Sequence, residues 1–157
     1  MRISPTSGGV RLRLPDPVRD VIETTVSQVV GLIDAPDPDD PAVGRLLPDA
    51  YRDDTEAARE FRELTQDDLL ERKRSDAAVV LATVRGRDLD VAQAEAWLRS
   101  LTDVRLVLGE RLGLRADGDA EVLMGHGDDD VRQAVAVLQH LGWVQELLIE
   151  ALEGGGH

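Results

Sequence analysis

Residues 129–152, DDVRQAVAVLQHLGWVQELLIEAL, carry apolar side chains around most of a helical circumference. On a period of about 3.6 residues only Arg132, Gln139, Glu146 and Glu150 form a clear polar wedge, while Val131, Val135, Val137, Leu138, Leu141, Trp143, Val144, Leu147, Leu148, Ile149 and Leu152 cover the rest. A surface helix needs one apolar stripe, not nearly a full turn of it. Such a segment belongs at the centre of a bundle or in an interface between copies. The rest of the chain must therefore supply helices to surround it, and the expectation is a mainly α fold.

The remaining periodicity supplies them. Val10, Leu12 and Leu14 alternate with Arg11 and Arg13 behind a Ser7-Gly8-Gly9 turn, so residues 2–14 read as a small N-terminal β-hairpin. Asp16 followed by Pro17 reads as a cap and first turn, leading into Val18, Val21, Ile22, Val26, Val29 and Ile33 at helical spacing, with β-branched content keeping a strand as competitor. Residues 34–44, DAPDPDDPAVG, form a proline-broken acidic loop, in which Asp40-Pro41 begins one short helical turn ending near Leu47. A helix is expected from Asp54 or Thr55, and Thr65 with Asp68 reads as a fresh cap for another running to about Val84. RGRD at 85–88 is a turn, and Leu89 is placed to add a short strand to the hairpin. Asp90 caps a helix that Gly113 closes. Residues 114–130 are expected to be a flexible Gly- and Asp-rich loop and 153–157 a tail. The prediction is one domain over 1–157: about five helices packed as a bundle around the C-terminal one, with the hairpin to one side.

Composition restricts function. With 31 acidic and 18 basic residues the net charge is -13, a field that repels phosphate backbones and anionic membrane surfaces, so neither nucleic acid nor membrane is an expected partner. No run approaches the ~20 apolar residues of a membrane span and the N-terminus lacks a signal-peptide core, making the cytoplasm the expected location. The absence of cysteine removes disulfides, thiol catalysis and cysteine metal sites. With 3% aromatic residues, the core must be packed from aliphatics.

Three polar residues break apolar stripes. Arg105 falls inside the stripe of Val91, Ala94, Trp97, Leu98, Leu101, Val104, Leu108 and Leu112, about 40° from its centre at about 100° per residue. Lys73 interrupts Leu69, Leu70, Ala77, Val80, Leu81 and Val84, and Gln145 interrupts the last helix. An inward cation must be paired, reach water along its stem, or serve a ligand. All three present donors, so one reading is a small-anion pocket of Lys73, Arg105 and Gln145. The other, favoured in so acidic a chain, is a structural polar network with internal carboxylates such as Asp49, Glu60, Glu63 or Glu146.

Other chemistry is weak. Asp34, Asp37, Asp39 and Asp40, and the aspartates at 117, 119 and 128–130, lack EF-hand spacing and read as solvated loop residues and caps. His126, His140 and His157 show no zinc spacing, and no GxSxG, Walker or GxGxxG pattern occurs. Arg11, Arg13 and Arg72-Lys73-Arg74 are short basic clusters without aromatic partners. No metal, cofactor or catalytic residue is predicted.

Several segments together, RLLPDAY at 45–51, EFRELT at 60–65, Leu69 with Lys73, AEAWLRSLTDVRLVLGERLG at 94–113 and LGWVQELLIEAL at 141–152, resemble a family of uncharacterised actinobacterial proteins classified as a domain of unknown function. Thr102, where asparagine is expected, and the glycine-rich 118–127 stretch depart from its pattern. The resemblance implies no catalytic residues; the common placement of such genes near the Clp protease adaptor implies a link to protein turnover. The expected function is a non-enzymatic interaction or regulatory protein, forming a homodimer through its final helix, with the small-anion module as alternative and an enzyme third.

Overall fold

The computed structural model describes residues 1–47, 56–113 and 129–155, of which 56–64 as backbone. Strands β1 (Arg2–Thr6) and β2 (Gly9–Arg13) pair antiparallel, with Ile3 opposite Leu12 and Pro5 opposite Val10. Ile3, Val10 and Leu12 are buried, whereas Arg2, Arg11 and Arg13 stay exposed, as a period of two requires of a half-covered sheet. Strand β3 (Asp88–Asp90) joins the free edge of β2, giving the order β1-β2-β3 with Leu89 opposite Val10. The join depends on Gly9: a Cβ there would lie 1.9 Å from the Leu89 carbonyl oxygen.

Helix α1 (Asp16–Asp34) buries Ile22, Val26, Val29 and Ile33 along one face, and this 3–4 spacing decides against the strand that their β-branching favours. Its cap is Pro15, not Asp16: the Pro15 carbonyl accepts the Val18 and Arg19 N–H groups, and Asp16 lies in the first turn, where a carboxylate meets the positive end of the helix dipole. Asp40 caps α2 (Pro41–Leu46), accepting the Ala42 N–H at 2.9 Å.

Helix α3 (Glu56–Thr83) is continuous, so the second helix start expected at Thr65 does not occur. Neither glycine nor proline lies between 56 and 83, and a Thr/Asp cap signature cannot end a helix whose backbone bonds can simply continue. Helix α4 (Val91–Leu112) starts at the Asp90/Gln93 capping box and stops at Gly113, whose φ of 73° is the left-handed stop that glycine adopts freely.

Helix α5 (Asp129–Gly154) is the fifth helix among the described residues. The helix that packs on α1, α2, α3 and α5 as well as on β2 and β3 is α4, with Trp97, Leu101 and Val104 sealed at the centre. The C-terminal helix, expected at the centre, instead packs along α4 and against β1 and β2 and keeps Trp143 and Ile149 exposed. Apolar residues of every element join in one continuous core.

Candidate functional site

The two flanks of α4 hold separate polar arrangements. On the α3 side, the Lys73 ammonium donates to Asp103 Oδ1 at 2.6 Å, with 17% and 6% of the two side chains exposed. Burial pushes the Asp103 carboxyl above its usual range, and this outweighs the opposing pull of Lys73; Asp76 adds a smaller upward push. The pair floors a groove of about 620 Å³ between α3 and α4, bordered by Leu69, Arg72, Ser75 and Thr102 and by the Arg99–Asp76 ion pair, whose two hydrogen bonds are each 3.0 Å.

On the α5 side, Arg105 Nη1 donates to Gln145 Oε1 at 2.9 Å. Gln145 is buried and its amide nitrogen donates to the Leu98 carbonyl at 3.0 Å and to Thr102 Oγ1 at 2.9 Å. The Thr102 hydroxyl itself donates a hydrogen bond to the same Leu98 carbonyl at 2.9 Å. Arg105 is exposed; its guanidinium lies over Gly142, where a Cβ would sit 3.3 Å from Cζ. An arginine within an apolar stripe thus covers the α4–α5 seam by its stem and reaches water with its head.

Lys73, Arg105 and Gln145 therefore do not meet in one place. Positions 103 and 105 are about 200° apart on α4, so Arg105 shares a site with Gln145 while Lys73 is held by a carboxylate on the other flank. The partner of Lys73 is Asp103, which is absent from the expected candidates; Asp49 and the side chains of Glu60 and Glu63 lie outside the described residues, and Glu146 is exposed. Asp103 was detectable in principle, because it stands two residues from Arg105 and so on the flank facing α3, but an aspartate at a helix flank usually reads as solvated.

The pair makes a prediction. Lys73→Met leaves a buried carboxylate without its cation and should cost about 3 kcal/mol at neutral pH. The folded state then binds the Asp103 proton more tightly than the unfolded state, so the loss grows as pH rises above 3.8 and shrinks as Asp103 protonates on acidification. Urea titrations of both proteins from pH 4 to 7 measure this; a loss independent of pH would assign it to packing alone.

Arg19 is a further buried cation, 8% exposed. It donates from Nε to the Leu14 carbonyl at 3.0 Å and from Nη1 to the carbonyls of Val84 and Gly86, the latter at 2.7 Å. It thereby ties β2, α1 and the turn after α3 together. Its signal was in the sequence: positions 19, 22, 26, 29 and 33 continue one stripe.

Between α1 and α5 runs an apolar groove of about 200 Å³ lined mainly by Pro17, Val18, Val21, Ala136, Val137 and His140. Trp143 stands beside it, 53% exposed, with its ring centroid 6.2 Å from that of His140.

The acidic loop is structural where described. Asp34 accepts from Arg74 at 2.8 Å, Asp37 from the Asp39 N–H at 2.9 Å, and Asp40 from both terminal nitrogens of Arg111, each at 2.9 Å. The hydrogen bonds from Arg111, then that from Ala42, hold the Asp40 carboxyl below its usual range. Among the described residues no cluster of three or more His, Asp or Glu is arranged to hold a metal ion, and no helix is long and apolar enough to cross a membrane. Positions 114–128, with His126 and the aspartates at 117, 119 and 128, and His157 lie outside the described residues.

Comparison with known proteins agrees with the resemblance. The model of the family described as "Domain of unknown function (DUF2017)" matches residues 1–152. The chain is 33% identical over 132 residues to the "Putative oxidative stress regulator AosR" of Mycobacterium leprae, covering 73% of this chain and 59% of that protein. It is 31% identical over 134 residues to the "Oxidative stress regulator AosR" of Mycobacterium tuberculosis, covering 74% and 60%. The matches thus span about three fifths of the length of these relatives. No solved structure matches the chain.

Proposed function

We propose, for a chain that belongs to the DUF2017 family of proteins of unknown function, a non-enzymatic regulatory role exercised through contact with another protein. The carrying observation is the apolar surface beside α5. Trp143, one of two tryptophans in the chain, is 53% exposed, and its ring stands 6.2 Å from that of His140, which lines the α1–α5 groove. An exposed indole next to an apolar cleft is the composition of an interface centre. The names of the mycobacterial relatives support a regulatory role; they speak of oxidative stress and not of protein turnover, and the role is proposed without that link.

These 157 residues contain no cysteine, so they offer an oxidant no thiol to oxidise and no disulfide to form. The proposed role therefore rests on what such a regulator binds, not on a thiol of its own. The proposed setting is the cytoplasm, and a second copy docking through α5 is the competing occupant of the same surface.

Trp143→Ala tests the role. The change touches an exposed side chain and should alter stability by no more than about 0.5 kcal/mol. In a strain of the source organism lacking the gene, the wild-type chain should restore the transcript response to peroxide and Trp143→Ala should not; equal complementation by both refutes the reading. Light scattering on the two proteins separates a second copy from a different partner.

A further inference from the structure

We propose that the cavity between β2 and the turn before β3 binds the phosphate group of a small phosphorylated molecule. The inference goes beyond the regulatory reading and does not rest on it. The cavity measures about 570 Å³ and is lined by Arg11, Arg13, Arg19, Arg87 and Asp88 together with Leu12 and Leu14. Its volume lies in the range of small-molecule sites, roughly 300–1,000 Å³. Four guanidinium groups and one carboxylate face it, in a chain whose net charge is -13.

Arg11 is matched by Asp88, its Nε donating to Oδ1 at 3.0 Å. Among the described residues Arg13, Arg19 and Arg87 have no carboxylate partner, which leaves three positive charges on one concave surface. Exposed arginines alone would be ordinary; Arg19 is not exposed. It is 92% buried by its 8% exposure, and its three bonds all go to carbonyl oxygens, which satisfy donors without supplying a counter-charge. Its Nη2 has no acceptor among the described residues, where no fully buried side-chain nitrogen lacks one, so Nη2 keeps some accessible surface, and Arg19 is among the residues lining the cavity.

The sheet adds a second argument. Arg2 stands directly opposite Arg13 in the β1–β2 register, and like charges in that position destabilise a strand pair. Folding therefore works against local electrostatics to bring Arg2, Arg13, Arg19 and Arg87 to one end of the sheet. A bound anion relieves that repulsion and supplies the counter-ion that Arg19 lacks.

Guanidinium forks suit phosphate oxygens, which accept paired, charge-assisted hydrogen bonds from planar donors. Three uncompensated charges match a di- or trianion better than a monocarboxylate. Arg19 is prealigned by its three carbonyl bonds at the floor, and Arg13 and Arg87 close from the exposed rim. The remaining volume takes the organic part of the ligand.

The test uses the whole chain with inorganic phosphate, pyrophosphate and ATP as probes, each compared with sodium chloride and sodium acetate at equal ionic strength. Pyrophosphate and ATP should raise the melting temperature by several degrees beyond chloride and move the backbone amide resonances of Leu12, Arg13 and Arg87. The exposed-residue variant Arg13→Gln/Arg87→Gln should fold, melt close to wild type in chloride, and bind pyrophosphate at least about tenfold more weakly, a loss of about 1.4 kcal/mol. Arg72→Gln, away from the cavity, should bind as wild type. No wild-type response beyond chloride, or equal binding by the double variant, overturns the proposal. Binding of a single-stranded oligonucleotide more tightly than ATP overturns its small-molecule form.

Discussion

Arg19→Met should destabilise the protein by about 3–5 kcal/mol, the sum expected when three carbonyls lose a shared donor. The side chain satisfies the carbonyls of Leu14, Val84 and Gly86, which lie on three different stretches of chain. Methionine fills a similar volume but donates nothing, and each carbonyl left without a donor costs about 1–3 kcal/mol. Urea denaturation gives the total, and hydrogen exchange gives its location: protection should fall first at Leu12, whose N–H donates to Arg87 in the turn that Arg19 secures. A loss below about 1 kcal/mol would mean that water entering the cavity replaces the guanidinium.

Trp97→Ala should cost about 3–5 kcal/mol as well, for a different reason. Trp97 is fully buried on α4, the helix in contact with every other described helix, and among the described residues it is the largest side chain in an otherwise aliphatic core. Its indole N–H donates to Thr83 Oγ1 at 2.8 Å, and Thr83 donates in turn to the Val79 carbonyl at 2.7 Å, closing the end of α3 onto α4. Trp97→Phe separates the two contributions: it keeps most of the volume, and its loss beyond that of packing should be about 1 kcal/mol, recovered in part when Thr83 is changed to Val in the same molecule. Equal stability of Trp97→Phe with and without Thr83→Val would show that the hydrogen bond contributes nothing.

Much of the fold was legible because its signals are local. Asp90 with Gln93 and the glycine at 113 bracket α4 by groups that act within one turn, and the alternation of Val10, Leu12 and Leu14 states which face of β2 is covered. Asp40-Pro41 marked α2 and Leu89 marked β3 for the same reason. The errors have a common origin. Thr65 has the chemistry of a cap, but whether a helix starts there depends on the backbone before it, and the helix was already under way. Asp16 was displaced as cap by the carbonyl of Pro15, one residue earlier.

The polar residues divide similarly. Periodicity placed Lys73, Arg105 and Gln145 off the solvent face of their helices, and it extends to Arg19. It could not say that Lys73 and Arg105 lie on opposite flanks of α4, that a buried Asp103 meets one and Gln145 the other, or that Arg19 gathers three carbonyls, two of them 65 and 67 residues away.

By itself the sequence determined the mainly helical fold, the small sheet, the absence of thiol chemistry and the membership of the family, since periodicity, capping groups and composition act over a few residues or over none. Only the tertiary structure decided which helix is central and which charges have partners. An apolar stripe specifies that a face is covered, not by what. A charge's environment is set by atoms from distant parts of the chain, and the cluster of Arg13, Arg19 and Arg87, without a carboxylate partner among the described residues, exists only once β2, α1 and the turn after α3 are brought together.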